Sequence, residues 1–203
     1  MQVTYRAIFV VLVLLAGLGG DAVARDPFQR DIGDAQAAQL DEAAQLRSAG
    51  KTDEAIGVLS ALTKSNPNYY SAQYNLGLAY ADKKQYAQAK QHLQAAADLQ
   101  QKYRIVDPTL YNSLGWTYLI QNDYAHAEQY LGSAYKQFDK LPTPDAKRKL
   151  LNNYGLLYLS KGDHAKAEPL LTRAANEYNS ELAKENLTTL QEVRKTQIQR
   201  AAR

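Results

Sequence analysis

The chain has 203 residues, of which 45% are hydrophobic, with a formal net charge of +3 and no cysteine. This composition allows a packed core and argues against wholesale disorder. The small positive charge is unlike the strong basic imbalance of nucleic-acid-binding proteins. Without cysteine the chain forms no disulfide, no thiolate metal site and no cysteine nucleophile.

The first 24 residues have the three-part layout of a secretory signal peptide. Arg6 supplies the positive charge, the apolar run Ala7–Gly20 follows, and Ala22 and Ala24 provide small residues at the cleavage positions. A bilayer span needs about 20 apolar residues, which this run does not reach. We predict cleavage after Ala24 and export to the periplasm or the medium, with a flexible segment over residues 25–35. A membrane anchor that is kept is the alternative.

One pattern recurs along residues 36–181. Gly77, Gly115 and Gly155 lie 38 and 40 residues apart, and a fainter copy that includes Ala43 lies 34 residues upstream of the first. Other residues keep the same two intervals: Tyr80, Tyr118, Tyr158, Ala89, Ala127, Ala167, Ala96, Ala134 and Ala174. A period of this length is typical of repeat architectures. The pattern predicts units over residues 36–69, 70–103, 108–141 and 148–181.

Each unit has helical spacing of apolar residues in two segments joined by a turn-like stretch, such as residues 121–123 or 161–163. Residues suited to N-caps precede the first helix of units two to four, namely Asn68, Asp107 and Thr143, and Pro108 and Pro144 suit the first helical position. The recurring glycine indicates a close crossing of the paired helices. Replacing Gly115 by Leu should therefore overpack the crossing at a cost of about 1–3 kcal/mol or more.

Residues 182–203 are predicted to form a C-terminal capping helix with a basic tail. Ser180 can cap this helix, and one side of it is apolar: Leu182, Leu187, Leu190, Val193 and Ile198. A stacked array needs such a helix to cover its last interface. The tail carries four basic residues, Arg194, Lys195, Arg200 and Arg203. A solvated helix end is favoured over a docking patch for acidic lipid or a partner.

The recurring positions resemble the tetratricopeptide repeat, a helix-turn-helix unit, over about 145 of the 203 residues. The fullest copy contains Leu76, Gly77, Tyr80, Ala89, Leu93 and Ala96. The fourth unit resembles the variety found in kinesin light chains, including Pro169 inside its second helix. The resemblance implies an all-α fold, an α-solenoid of about four repeats followed by the capping helix. Unit one departs from the pattern at Gln39 and Glu42, so its first helix is expected to be frayed or to act as a cap.

No pattern indicates catalysis. His92, His126 and His164 occupy three different positions of their helices and lack the spacing of a metal site. The chain has no phosphate-binding glycine loop after a strand and no nucleophile elbow. We predict a protein that is not an enzyme, has no cofactor and binds neither nucleic acid nor a small-molecule substrate.

The resemblance instead implies a concave groove lined by the first helices of successive repeats. The matching positions are Tyr74, Asn75 and Leu78 in unit two, Asn112, Trp116 and Leu119 in unit three, and Lys149, Asn152, Asn153 and Leu156 in unit four. Family members use an asparagine at the place of Asn75 and Asn153 to hold a ligand's backbone amide; unit three has Ser113 there. Alternatively, the aliphatic members of this set simply pack the inner helix layer.

The sequence therefore predicts an exported adaptor that binds a peptide or helix of a partner protein, with envelope assembly or secretion as the setting implied by the resemblance. Contact with a membrane is expected only through an uncleaved signal or the basic tail. The main alternative is a structural protein that associates with itself and has no ligand in the groove. An unrecognised cell-wall enzyme ranks last because catalytic groups are missing.

Overall fold

The computed structural model describes residues 33–201, without the side chains of residues 197, 198, 200 and 201. The predicted signal peptide lies outside this range. Within it the chain is helical and has no strand, which confirms the all-α prediction. The helices are α1 (Asp34–Ser48), α2 (Thr52–Ser65), α3 (Tyr70–Asp82), α4 (Tyr86–Tyr103), α5 (Pro108–Ile120), α6 (Tyr124–Tyr135), α7 (Pro144–Ser160), α8 (His164–Tyr178) and α9 (Glu181–Ala201), with a 3₁₀ helix at Phe138–Lys140.

The described residues form two compact units, residues 33–92 and 93–201. In the first unit α2 packs against α1 and α3 around a core that includes Leu40, Leu59 and Leu76. In the second unit α5 pairs with α6, α7 pairs with α8, and α7 also contacts α5 and α6. No helix of residues 33–201 combines the length and the apolar character that crossing a membrane requires.

The first helix of every hairpin ends in the same way. In the third hairpin the N–H of Asp123 donates to the carbonyl of Tyr118, and the N–H of Asn122 donates to that of Leu119, both at 3.0 Å. This is a Schellman ending, in which one residue adopts a left-handed conformation. The left-handed residues are Gly50 (φ 76°), Lys84 (59°), Asn122 (60°) and Gly162 (73°). The recurring tyrosine therefore has a backbone role as well as a packing role, because its carbonyl closes the turn.

A side chain caps the N-terminus of each helix from α5 to α9. Asp107 accepts a hydrogen bond from the N–H of Thr109 at 2.8 Å, and Thr143 accepts one from the N–H of Ala146 at 3.1 Å, as predicted. The prediction that Asn68 caps α3 is wrong, since the N-cap of α3 is Tyr69 and it provides no side-chain cap. A turn over residues 66–69, closed by a 3.1 Å bond from the N–H of Tyr69 to the carbonyl of residue 66, delays the start of the helix.

Two of the recurring glycines lie at close helix crossings, as predicted. A Cβ atom on Gly115 would be 2.5 Å from Cγ of Leu131, and one on Gly155 would be 2.7 Å from Cγ of Leu171. Real Cβ atoms do not approach this closely, so only glycine fits without displacing the facing leucine.

Helix α9 packs against α8 and contacts α7, as expected of a capping helix. The N–H of Ala183 donates to Oγ of Ser180 at 3.2 Å, which confirms the predicted cap. Leu190 is buried, and Arg194 makes two hydrogen bonds to Glu168, at 3.0 and 2.7 Å. Part of the basic tail is thus used to hold α9 against α8.

Candidate protein-binding surface

Four of the predicted contact residues lie together on α5 and α7. Asn112 and Trp116 are one turn apart on α5, and Lys149 and Asn153 are one turn apart on α7, so each pair shares a helix face. The two helices are joined here by a hydrogen bond of 3.0 Å from Nδ2 of Asn153 to Oδ1 of Asn112. All four side chains are half-buried. We call these four residues the α5–α7 patch.

The asparagine pair keeps hydrogen-bonding capacity. Each amide side chain has both a donor and an acceptor, and the bond between Asn112 and Asn153 uses one group of each. Within the described residues, the amide nitrogen of Asn112 and the amide oxygen of Asn153 make no further hydrogen bond. The pair therefore presents one donor and one acceptor at a surface that is partly shielded from water.

Lys149 is held by a neighbouring carboxylate. Its Nζ lies 2.8 Å from Oδ2 of Asp145, and Arg148 binds the same carboxylate. Burial alone would raise the pKa of Asp145, but the hydrogen bonds from Lys149 and Arg148 outweigh it and lower that pKa. Asp145 is therefore ionised at neutral pH, and it offsets one of the two positive charges that Arg148 and Lys149 carry.

Three predicted contact residues of the second unit lie inside the protein instead of on its surface. Leu119 and Leu156 are buried. Asn152 is 4% exposed because it pairs with Ser180 at the start of α9: its Nδ2 donates to Oγ of Ser180 at 2.9 Å, and the hydroxyl donates back to its Oδ1 at 3.0 Å. Asn152 thus fixes the terminal helix, and no hydrogen-bonding atom of it is left for a ligand.

The predicted residues of unit two belong to the first compact unit. Tyr74 and Leu78 are half-buried on α3, whereas Asn75 is only 8% exposed and donates to the carbonyl of Ser71 at 2.8 Å. Arg47 of α1 lies beside it, with Nη1 3.5 Å from Oδ1 of Asn75. The Nε of Arg47 also donates to Asp82 at 2.8 Å.

Sequence reasoning missed the Arg47–Asp82 ion pair, although its signal is present in the sequence. The two residues are 35 positions apart, close to one repeat period, on the first helices of successive units. Asn112 and Asn153 are 41 positions apart and are related in the same way. Polar residues separated by about one period therefore indicate contacts between neighbouring first helices.

Two of the histidines serve local packing and capping. The ring of His92 stacks on Tyr80 with centroids 5.5 Å apart, its Nδ1 lies 2.9 Å from Oε1 of Gln73, and burial lowers its pKa. His126 contacts Asp123, the N-cap residue of α6, the helix to which His126 belongs. Across residues 33–201, no cluster of three or more His, Asp or Glu side chains is placed to hold a metal ion.

Hairpins that cross at small residues, with polar contacts between successive first helices, define a helical repeat protein. Two family models, both described as tetratricopeptide repeat, match residues 69–140 and 110–181. Together they span more than half of the chain. The chain belongs to the tetratricopeptide-repeat family.

Solved structures with TM-scores above 0.5 share the fold. A chain of the APC/C hetero-tetramer Cut9–Hcn1 is 22% identical with a TM-score of 0.57; the match covers 68% of this chain but only 24% of that one. MamA is 20% identical with a TM-score of 0.54, over 79% of this chain and 97% of that one. YrrB, described as a TPR protein with an unusual peptide-binding site, is 17% identical with a TM-score of 0.46, over 74% and 90%. The curated proteins contain no match.

Tetratricopeptide repeats generally mediate protein–protein interaction and scaffolding, and proteins built from them are generally not enzymes. Membership of the family therefore supports a role in binding other proteins. It specifies neither the partner nor the residues that contact it.

Proposed function

We propose that this protein is an exported adaptor that binds an extended segment of a partner protein at the α5–α7 patch. The observation that carries the proposal is the Asn112–Asn153 hydrogen bond, which leaves the amide nitrogen of Asn112 and the amide oxygen of Asn153 available to a ligand. A peptide backbone offers the complementary C=O and N–H groups, whatever its sequence. The asparagine pair can therefore hold a partner's backbone.

Trp116 supplies the apolar part of the same surface. It lies one turn from Asn112, and its half-buried indole gives a large contact area with a polar edge, which is typical of residues that dominate binding energy. Lys149 adds little affinity because Asp145 already pairs with it. We expect the partner segment to place an apolar side chain against Trp116 and its backbone against the two asparagines.

The exported setting rests on the N-terminal sequence. A single positive charge, a short apolar run and small residues before the expected cleavage after Ala24 are typical of a secretory signal, and the lack of cysteine suits an oxidising compartment. A role in envelope assembly or secretion follows from this setting. N-terminal sequencing of the exported protein tests it, and finding Met1 still attached would reject cleavage.

Binding at the patch is tested by crosslinking in the native host. A photoreactive amino acid at position 120, one turn beyond Trp116 on α5, leaves the patch intact, and the same amino acid at the exposed Thr172 of α8 is the control. We expect one different protein to be captured from position 120 alone. Capture of this chain's own copies only would support the self-associating alternative and overturn the proposal.

The captured segment, made as a peptide, then tests the asparagines. Trp116 is the only tryptophan, so its fluorescence reports binding. We expect Asn153→Ala to weaken binding about tenfold, because hydrogen bonds within partly buried sites contribute about 1 kcal/mol or more. The matched control is Asn176→Ala at an exposed position of α8, and equal affinities for the two variants would contradict the role of the patch.

A further inference from the structure

The second unit also has a cleft whose lining includes none of the four residues of the α5–α7 patch. It is a cleft of about 570 Å³ between the C-terminal part of α4, the segment 104–106 that follows it, and α6. Pockets of this size are large enough for a small ligand or a short piece of peptide. Most of its lining residues are uncharged and polar, and five of them are glutamines: Gln94, Gln100, Gln101, Gln129 and Gln137.

One edge of the cleft is made by the way α4 ends. Arg104 adopts a left-handed conformation, with φ at 55°. The N–H of Ile105 then donates to the carbonyl of Gln100 at 2.9 Å, which folds the chain back over the end of the helix. Val106 follows with 56% of its surface exposed; among the side chains that the structure describes, Tyr135 is the other exposed large hydrophobic residue. The edge is therefore an apolar ledge formed by Ile105 and Val106.

Gln100 lines the cleft, and its side-chain oxygen has no partner that donates a hydrogen bond to it. The residue is 3% exposed, and its Oε1 is buried without a partner among the described residues. Buried polar atoms are nearly always paired, because leaving one unpaired is unfavourable. An N–H or O–H group, from water or from a ligand that reaches past the cleft surface, would satisfy this oxygen.

Several neighbouring side chains in the cleft donate hydrogen bonds to other groups of the protein. The hydroxyl of Tyr130 donates to Oε1 of Gln94 at 2.9 Å, and Nε2 of Gln94 donates to Asp98 at 3.1 Å. On α6 the hydroxyl of Ser133 donates to the carbonyl of Gln129 at 2.8 Å. Oxygens of these groups can still accept from a ligand, while Arg104, Gln101 and Gln129 add N–H donors to the same lining.

The ring of Tyr130, which lines the cleft, contacts two other tyrosine rings. Tyr130 stacks on Tyr118 with centroids 5.5 Å apart and planes 9° apart, and it also lies 6.2 Å from Tyr111. A sugar ring normally packs on an open aromatic face, and the stacked face of Tyr130 is occupied. An apolar ledge beside a buried acceptor fits a peptide better than a saccharide, because a peptide carries both an aliphatic side chain and backbone N–H groups.

We propose that this cleft binds an extended peptide segment with an aliphatic side chain. A backbone N–H of the peptide donates to Oε1 of Gln100, and the aliphatic side chain packs on Ile105 and Val106. This is a binding site additional to the α5–α7 patch and does not depend on it. The two sites would let one chain hold two partner segments at once.

The test uses the full chain and blocked tripeptides of defined sequence. Acetyl-Ala-Leu-Ala-amide is titrated while the NMR signals of the Val106 methyls and the Gln100 side-chain amide are recorded. We expect saturable shifts at both with millimolar affinity. Methylation of each peptide nitrogen in turn should lower the affinity about fivefold or more at one position, since one hydrogen bond to a buried acceptor is lost.

Two variants separate a binding role of Gln100 from a structural one. Gln100→Met keeps the length of the side chain but removes the acceptor, so the methylated and unmethylated peptides should bind it equally. Val106→Ser should weaken binding of the leucine peptide but leave that of acetyl-Ala-Ala-Ala-amide unchanged. Trp116→Ala, which removes the indole of the α5–α7 patch, should bind the tripeptide as the wild type does.

Several outcomes would overturn the proposal. One is the absence of saturable shifts, and another is an effect of nitrogen methylation that persists in Gln100→Met. Maltose producing the same shifts would indicate a saccharide site. A high-resolution structure with a water on Oε1 of Gln100 that the peptide does not displace would show that water alone satisfies this oxygen. None of these results bears on the α5–α7 patch, which has its own test.

Discussion

The first and third hairpins, α1–α2 and α5–α6, follow the same plan but differ where their helices cross. Both end their first helix with a left-handed residue, Gly50 in one and Asn122 in the other. The first hairpin has Ala43 at the crossing position, fully buried in one core with Leu59. The third has Gly115, where a Cβ would be 2.5 Å from Leu131. The repeat pattern thus specifies a small residue at the crossing position. The distance to the facing leucine determines whether that residue can carry a methyl group.

The largest effect is expected from Gly115→Leu. A Cβ at this position already overlaps Leu131, and its third contact is the backbone nitrogen of Leu131, 3.0 Å away, which cannot rotate aside. We expect the free energy of unfolding to fall by about 3 kcal/mol, at the upper end of overpacking effects. Urea unfolding followed by circular dichroism measures this. An unchanged midpoint would mean that the crossing is not as close as the structure indicates.

Replacing glycine by alanine should change the free energy of unfolding in opposite directions at Gly57 of the first hairpin and Gly115 of the third. A methyl group added to Gly57 of α2 would have no atom within 4 Å, so Gly57→Ala should stabilise by about 0.5–1 kcal/mol through helix propensity alone. Gly115→Ala gains the same propensity, but its overlap with Leu131 should leave it destabilised by about 1 kcal/mol. Both variants are compared by urea unfolding. A gain of stability at both positions would mean that the crossing at Gly115 has room for a methyl group.

These crossings explain why the fold could be predicted from the sequence. Gly115, Gly155 and the buried alanines must be small for one geometric reason that is repeated in every unit, so their spacing alone indicates the array. Helix starts were predictable where a cap precedes a proline, as at Asp107 and Thr143. At Asn68 the same reasoning failed, because proline lay before the asparagine and stabilised a turn instead of the helix.

The candidate site was less predictable, because neighbouring residues of one type have different surroundings. Asn152 and Asn153 are adjacent on α7, yet the first is covered by Ser180 of the α9 cap and the second faces Asn112. The repeat period indicates which helix face a residue occupies, but not whether another element covers that face. The cleft beside Gln100 lies at an insertion between repeats, where the period gives no information.

The last comparison concerns the start of the second helix in the first and third hairpins. Asp123 caps α6 by accepting from the N–H of His126 at 3.2 Å, whereas Lys51 precedes α2 without a side-chain cap. Asp123→Ala should destabilise by about 1 kcal/mol, and Asp123→Asn, which keeps the capping oxygen, should change little. Lys51 has backbone angles of φ −85° and ψ 54°, close to the −83° and 75° of Asp123, so a serine there can reach the same geometry.

We therefore expect Lys51→Ser to stabilise the chain by about 0.5 kcal/mol, since a new cap replaces an exposed lysine. Its contact with Glu54, 3.4 Å long between exposed side chains, contributes little that would be lost. Thermal unfolding of the single variants and of Lys51→Ser combined with Asp123→Ala measures both effects. If the caps act independently, the two changes add in the double variant, because the sites share no partner. If Lys51→Ser lowers the stability instead, a serine at position 51 does not cap α2, although the backbone angles there would allow it.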